Sequence, residues 1–154
     1  MYISNMTASE EYRMTGSHLK LTSYTVKGTS TMAKIKTSEL TGQALDYAVA
    51  ICQGFTQRSA ASHVIMGTHA PSVRWAQAGP IIEQEKISPN HVSDGMWSAS
   101  YCHATLNHTG QTSAYFSSTG PTPLIAAMRC YCCAKLGGEI DIPQELQPCQ
   151  QLNI

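Results

Sequence analysis

A helix with both ends marked in the sequence, over residues 123–136, limits the folds open to this chain more than any other segment. Thr122 suits the N-cap, because its hydroxyl can accept a hydrogen bond from amides of the first turn that have no partner inside the helix. Pro123 takes the first helical position, where a missing N–H costs nothing, and Gly137 follows the last turn as a left-handed cap. Apolar residues recur inside it at helical spacing: Ile125, Met128, Cys132 and Leu136. This pattern predicts a mostly buried helix against which the remaining elements pack.

A second core helix is predicted over residues 41–53, with Gly54 placed to end it. One face of this segment repeats apolar residues at helical spacing: Ala44, Tyr47, Ala48 and Ile51. Its small side chains allow close approach to the helix at 123–136. We therefore expect an alanine-rich pair of helices on one side of a sheet.

The remaining pattern predicts short strands. Residues 33–37 alternate like an edge strand with lysines turned to water, residues 96–104 and 115–117 predict a hairpin across a turn at 107–110, and residues 139–143 predict a last strand. Residues 63–66 also read as a short buried strand. The expected fold is α+β: a small, mainly antiparallel sheet packed by two main helices, at about 41–53 and 123–136.

A short helical segment is expected near residues 72–86, in two pieces. Ser72 can cap the first piece, and the Gly79-Pro80 pair is expected to break it. Pro80 then opens a helix or an extended segment, with Glu83 and Glu85 in its first turn, where the helix dipole favours carboxylates.

The length of 154 residues is typical of one small domain with appendages. We expect a flexible extension at 1–31, one domain at 32–143 and a polar tail at 144–154. Ten basic and ten acidic residues balance without a basic cluster, which argues against duplex nucleic-acid binding. The chain has neither an apolar run of about 20 residues nor the pattern of a signal peptide. These features exclude a membrane-spanning segment and predict a cytoplasmic protein.

Six cysteines invite a disulfide or metal interpretation: Cys52, Cys102, Cys130, Cys132, Cys133 and Cys149. Three of them lie in the predicted helix at 123–136 and diverge around its axis, so a disulfide framework is not expected. Cys130 and Cys133 form a C-x-x-C, but no second pair completes a tetrahedral site. We favour buried free thiols, with no metal and no cofactor. The alternative is a zinc site that adds Cys102-His103 or His108.

Three ordered blocks of the chain resemble a known family. They are residues 34–42 (KIKTSELTG) with 44–50, residues 75–83 (WAQAGPIIE), and residues 120–131 (GPTPLIAAMRCY) with 135–137. These blocks look like those of the NinX-like family of phage accessory proteins, a domain of unknown function, over about residues 32–143. The resemblance implies a phage or prophage origin and a small protein acting inside the bacterial host. It implies no reaction.

Two positions depart from the family pattern. Arg74 stands where the family usually has an acidic residue before the tryptophan, and Cys132-Cys133 stands where it has Val-Ala. The second departure weakens a family-wide metal role for these cysteines, and the first puts in doubt any role that needs a negative charge beside Trp75.

Two Gly-Pro pairs at expected helix starts, with Gly79 and Gly120, suggest a ligand site. The free amides and dipole of a helix N-terminus attract phosphate or carboxylate. The candidate ligand-binding residues include these two glycines, threonine hydroxyls as donors, and a tryptophan on which a ring can stack. They also include arginines that can pair with phosphate, a glutamine that can hydrogen-bond to the polar edge of a ring, and two residues of the first helix. They are Gly79, Gly120, Thr119, Thr122, Trp75, Arg74, Arg129, Gln77, Asp46 and Tyr47.

Three functions remain open. The first is a binder that captures a small nucleotide-like or other anionic host molecule, such as an immune signalling nucleotide, without turning it over. The second is a protein–protein adaptor that inhibits or redirects a host factor. The third is a hydrolase using Glu83, Glu85 and histidines, although two carboxylates at i and i+2 do not share a helix face, and no nucleophile elbow, P-loop or dinucleotide motif is present. A homodimer or higher oligomer fits all three, because so small a domain benefits from further burial.

Overall fold

The computed structural model of the chain describes residues 31–107 and 110–147. The helices of this part are α1 (Gly42–Cys52), α2 (Gln57–Ile65), α3 (Trp75–Gln84) and α4 (Pro123–Leu136). The strands are β1 (Met32–Lys36), β2 (Ser88–Ser93), β3 (Met96–Asn107), β4 (Gly110–Gly120) and β5 (Glu139–Pro143), with short 3-10 turns at Thr37–Glu39 and Gln144–Leu146. The predicted α+β class is confirmed. No helix within these residues is long and apolar enough to cross a membrane.

Helix α4 has the ends that the sequence predicts. Thr122 Oγ1 accepts a hydrogen bond of 3.2 Å from the Ile125 N–H, Pro123 opens the helix, and Gly137 follows it with φ +88°. The helix contacts β2, β3 and β4 as well as α1, and half of its residues are buried. It is therefore the central element of the hydrophobic core, as expected.

The strands form two antiparallel sheets in place of the single sheet that we expected. One sheet is the pair β1 and β5, in which Lys34 lies opposite Asp141. The other has the order β2, β3, β4 and contains the predicted hairpin, which runs in register from Trp97 opposite Gly120 to Asn107 opposite Gly110. The turn residues 108–109 lie outside the described residues. The predicted strands at 33–37 and 139–143 correspond to β1 and β5.

The structure differs from the predicted local structure in α2 and β2. Residues 63–66 are not a strand, because they belong to α2 and the turn that ends it. This helix is capped by Thr56, whose Oγ1 accepts from the Ser59 N–H at 3.3 Å, and it buries Ala60 and Val64 at the i, i+4 spacing of one helical face. Strand β2 was not predicted, since its polar residues and Pro89 give no apolar alternation.

The segment at 72–86 is one continuous helix and not two pieces. α3 begins at Trp75 after Arg74, and Pro80 lies inside it, where it removes one helical hydrogen bond without ending the helix. Burial of Ala78 and Ile81 on either side of Pro80 holds the helix to the core. The predicted first-turn carboxylates are consequently at the other end of the helix, with Glu83 in its last turn and Glu85 at its C-cap.

The packed part of the chain continues past residue 143. Leu146 is buried in the 3-10 turn that follows β5, and the Gln144 N–H donates to the Thr31 carbonyl at 3.0 Å. Residues 1–30 of the predicted extension and residues 148–154 of the predicted tail lie outside the described residues.

Candidate functional site

A cavity of about 360 Å³ lies where the start of α3 meets the start of α4, and we call it the α3–α4 pocket. Its lining is mainly apolar and includes two hydroxyl side chains. The lining residues are Ser72, Val73, Trp75, Thr122, Pro123, Leu124 and Ile125. The structure thus brings Trp75 and Thr122, which the sequence places in one candidate site, to the same pocket.

The loop that carries Ser72 is fixed by two polar side chains. Gln77 accepts from the Ala70 N–H at 2.7 Å through Oε1, and its Nε2 donates to the Thr68 carbonyl at 2.8 Å. Asp46 Oδ1, on α1, accepts from the Ser72 N–H at 2.7 Å. Both candidate residues therefore bind the backbone of their own chain and hold one wall of the pocket in place.

Burial governs the ionisation of Asp46, which is 4% exposed. Removal from water raises the pKa of its carboxyl, while the hydrogen bond from Ser72 and the nearby charge of Arg74 lower it. The Ser72 hydroxyl contributes to that lowering and so lies beside the carboxylate. Its geometry nevertheless falls short of a hydrogen bond, so Ser72 Oγ has no partner in the described part of the chain although Ser72 is only 2% exposed.

Trp75 and Val73 form the open side of the pocket. Trp75 is 56% exposed and Val73 is 70% exposed, so neither side chain is a core anchor. An exposed indole offers a flat apolar face on which an aromatic ring can stack. This part of the pocket is suited to a planar apolar group.

The start of α4 offers few free donors, because its own cap uses most of them. Pro123 has no N–H, and the N–H groups of Ile125 and Ala126 donate to Thr122 Oγ1 and to the Thr122 carbonyl, at 3.2 and 3.0 Å. An anion at this helix start would therefore have to compete with Thr122 for these two N–H groups, while the helix dipole still favours it.

The two candidate glycines have different surroundings. A Cβ atom on Gly120 would lie 2.8 Å from Ala126 N and 2.9 Å from Ile125 Cγ2, so this glycine lets the end of β4 approach α4 closely. A Cβ atom on Gly79 would meet nothing within 4 Å apart from its chain neighbours and the backbone of its own helix. Neither glycine lines the α3–α4 pocket.

Arg129 joins three elements through its guanidinium group. Nε donates to the Leu40 carbonyl and Nη1 donates to the Thr119 carbonyl, both at 2.7 Å. Burial of the side chain lowers its pKa, and the charge of Glu39 acts in the opposite direction. The arrangement fastens α4 to the turn before α1 and to the end of β4, and neither Arg129 nor Thr119 lines the pocket.

Tyr47 lies away from Trp75. Its ring is 1% exposed and lines a separate cavity of about 460 Å³, together with Arg58 and other residues of α2. Burial raises the pKa of its hydroxyl, which has no hydrogen-bond partner in the described part of the chain. Arg74 is exposed at the start of α3 and is also absent from the α3–α4 lining.

The residues considered for hydrolysis and metal binding are dispersed. Glu85 pairs with Lys135 at 3.1 Å and accepts a hydrogen bond from the Tyr101 hydroxyl at 3.1 Å, whereas Glu83 is exposed. Among residues 31–107 and 110–147, no three histidine, cysteine or acidic side chains gather closely enough to hold a metal ion. Burial raises the pKa of Cys130 to about 11. His108 of the alternative zinc site is outside the described residues.

Sequence reasoning missed the role of the loop residues in the pocket. The sequence predicts only a helix-capping role for Ser72, whereas the structure places it in the pocket lining with Val73 and Leu124. The available signal was Asp46, a lone carboxylate in the apolar run of α1, which predicts a buried hydrogen-bond partner elsewhere in the chain.

Comparison with known proteins gives a family but no function. A search of curated proteins finds no match. The family model described as Bacteriophage P22, NinX matches residues 36–135, which is more than half of the chain. This range includes all three sequence blocks except their outermost residues, along with α1 to α3 and nearly all of α4. The chain therefore belongs to the phage P22 NinX family.

Proposed function

We propose that this phage accessory protein acts in the cytoplasm of the bacterial host as a non-enzymatic binder. Its ligand is a small nucleotide-like or other anionic host molecule, such as an immune signalling nucleotide, which it sequesters without chemical change. The supporting observation is the α3–α4 pocket, where an exposed tryptophan lies beside a buried hydroxyl without a partner and the N-terminus of a long helix. An apolar pocket with a few polar groups is the usual form of a small-molecule site.

Native mass spectrometry of the protein purified from bacterial cells tests this proposal. The expected result is a bound small molecule in stoichiometric amount, released intact by denaturation and identified by its mass. Trp75→Ala should lose this molecule. Tyr115→Ala, which removes an aromatic side chain that is 68% exposed on β4, should retain it. Chemical conversion of the recovered ligand, or loss of the ligand from both variants, would contradict the proposal.

A protein–protein adaptor is the second candidate, because two large apolar side chains are exposed side by side at Val73 and Trp75. In this case a host protein should co-purify with the chain and be lost on Val73→Asp, while no small molecule is released. Ile65 and Met66, also exposed at the end of α2, are candidates for a homodimer contact. Analytical ultracentrifugation of Ile65→Asp against the unmodified chain tests that contact, and an unchanged oligomeric state would argue against it.

A further inference from the structure

The outer edge of β4 lacks the features by which edge strands avoid pairing with other chains. The edges of the two sheets are formed by β1, β5, β2 and β4. Charged side chains, prolines and irregular pairing keep such edges free. Three of the four strands have these features: Lys34 and Lys36 in β1, Glu139, Asp141 and Pro143 in β5, and Pro89 with a register shift in β2. In contrast, the 11 residues of β4 include no charge and no proline, and they pair with β3 without a register shift.

Successive residues of β4 direct their backbone groups to opposite sides of the strand, toward β3 or away from it. Gly110 closes the hairpin opposite Asn107, and a tight turn bonds the N–H of its fourth residue to the carbonyl of its first. Gly110 and every second residue after it therefore bond to β3. Arg129, on α4, donates to the Thr119 carbonyl at 2.7 Å, which agrees with Thr119 belonging to the other set. The backbone groups of that set face the free side of the strand.

Three residues of the outward-facing set are open to a partner strand, and we call them the β4 edge: Ser113, Tyr115 and Ser117. All three side chains are exposed, and Tyr115 is 68% exposed. Thr119 is set apart because its carbonyl already accepts from Arg129. Within residues 31–107 and 110–147, β4 has extensive contacts with β3 and α4 alone. No described element therefore pairs with the β4 edge.

The chemistry of the β4 edge fits a second copy of this chain better than a foreign peptide. Strand addition selects foreign peptides through pockets beside the edge that take alternate side chains. Neither the α3–α4 pocket nor the cavity at Tyr47 is lined by β4. An uncharged edge meets its own copy without repulsion, and the ten basic and ten acidic residues of the chain balance. A self-complementary contact about a two-fold axis is the commonest form of a homodimer.

We propose that two copies of the chain pair through their β4 edges, antiparallel, about a two-fold axis at Tyr115. Pairing that uses all three residues places Tyr115 opposite its own copy, and Ser113 of each copy opposite Ser117 of the other. The two three-stranded sheets then join into one continuous sheet. The two tyrosine rings face each other across the axis, where an aromatic pair adds to the backbone hydrogen bonds. This contact is independent of the α3–α4 pocket and of the proposed ligand.

Analytical ultracentrifugation of the full chain, from about 1 µM to about 200 µM, tests the contact in the range expected for a small interface. The unmodified chain should become dimeric within this range. The double variant Ser113→Lys with Ser117→Lys places lysine opposite lysine twice across the axis. Its dimer should be at least about tenfold weaker.

A charge-matched variant isolates the pairing from the simple effect of substitution. Ser113→Glu with Ser117→Lys changes the same two positions but places glutamate opposite lysine, so it should dimerise at least as well as the unmodified chain. High salt should reduce the difference between the two double variants. Ser88→Lys adds a lysine to an exposed position of β2, on the other edge of the same sheet, and should dimerise normally. Far-UV circular dichroism of each variant shows that it is folded.

Four results would overturn the proposal. The first is an unmodified chain that stays monomeric at the highest concentration, and the second is equal dimerisation of the two double variants. The third is dissociation by Ile65→Asp but not by the lysine pair, which would place the contact at the end of α2. The fourth is a monomeric chain that binds a host protein and loses it in the lysine pair, because a foreign strand would then be the occupant. Ligand capture is measured separately by mass spectrometry and stands or falls apart from these results.

Discussion

Asp46 on α1 and Ser72 in the loop before α3 are joined by a hydrogen bond of 2.7 Å, across 26 residues of sequence. This bond links a buried position of the core to a wall of the α3–α4 pocket. The geometry of the candidate site therefore depends on a carboxylate that does not line the pocket. Because that carboxylate is buried, its protonation also affects the stability of the fold.

The free energy of unfolding should depend on pH through Asp46. Burial raises the pKa of this carboxyl in the folded state above its ordinary value of 3.8, so the folded protein holds this proton more tightly than the unfolded chain. The Asp46 contribution should therefore reduce stability as pH rises from about 3.8 through the raised value. Asp46→Asn, whose amide oxygen can still accept from Ser72, should lack this component. Urea denaturation of both proteins from pH 3.5 to pH 7 measures the difference. Parallel pH curves for the two proteins would contradict the prediction.

Replacing Arg129 should destabilise the fold. Arg129→Ala removes the donors to the Leu40 and Thr119 carbonyls, and we expect a loss of about 2–4 kcal/mol in the free energy of unfolding. Arg129→Lys should recover only part of it, because a single ammonium does not reproduce the fork of the guanidinium. Guanidinium denaturation gives both values. If Arg129→Ala instead unfolds like the unmodified chain but no longer binds ligand, Arg129 belongs to the site and not to the scaffold.

Two glycine substitutions should differ in their effect on stability. Gly120→Ala places a methyl group 2.8 Å from the Ala126 backbone nitrogen, and the resulting displacement of α4 should cost about 1–3 kcal/mol. Gly79→Ala meets no atom within 4 Å apart from its chain neighbours, but its gain in helix propensity is opposed by the clash of a helical Cβ atom with the ring of Pro80, so stability should change by less than about 0.5 kcal/mol. Thermal melting of the two variants compares them directly. Equal melting temperatures would show that β4 and α4 are not in close contact at Gly120.

The cap of α4 should contribute measurably to stability. Thr122→Ala removes the acceptor for the Ile125 N–H and should cost about 1 kcal/mol, whereas Thr122→Ser should cost much less. Thr56→Ala at the start of α2 is a matched control for the loss of a threonine cap. Chemical denaturation of the three variants gives the values. A stable Thr122→Ala protein would show that Pro123 and packing suffice to begin α4.

The cysteines should differ widely in reactivity. Cys102 is exposed, whereas Cys130 is buried, donates to the Phe116 carbonyl at 3.5 Å and has its pKa raised to about 11, which leaves little thiolate at neutral pH. Alkylation followed by peptide mass mapping should therefore label Cys102 within minutes and Cys130 only after denaturation. Equal labelling rates in the native protein would contradict the burial of Cys130.

Local signals account for the parts of the fold that could be predicted. Thr122, Pro123 and Gly137 mark α4 by backbone chemistry that acts within a few residues, and alternation marks the β3–β4 hairpin in the same way. The helix break expected at Gly79-Pro80 does not occur. Packing of Ala78 and Ile81 against the core stabilises α3 by more than the one backbone hydrogen bond that Pro80 removes.

The candidate site could be predicted only in part. Trp75 and Thr122 were recognisable because each has a local property, an aromatic face or a helix start, and the structure places both in one pocket. The structural roles of Gln77 and Arg129 depend on carbonyls of other segments, which no local pattern specifies. The same holds for Ser72, whose position is set by Asp46 from a different helix.

The pairing of β1 with β5 brings together the two ends of the described chain, and Thr37 Oγ1 also donates to the Gly137 carbonyl across 100 residues. Contacts of such long range close a large loop and form slowly, whereas β2, β3, β4 and α4 are consecutive and can assemble locally. During synthesis, β1 leaves the ribosome long before its partner strand exists. Strand β1 therefore cannot pair until β5 has been synthesised. A ribosome that stalls before residue 139 would release a chain in which β1 lacks its partner strand.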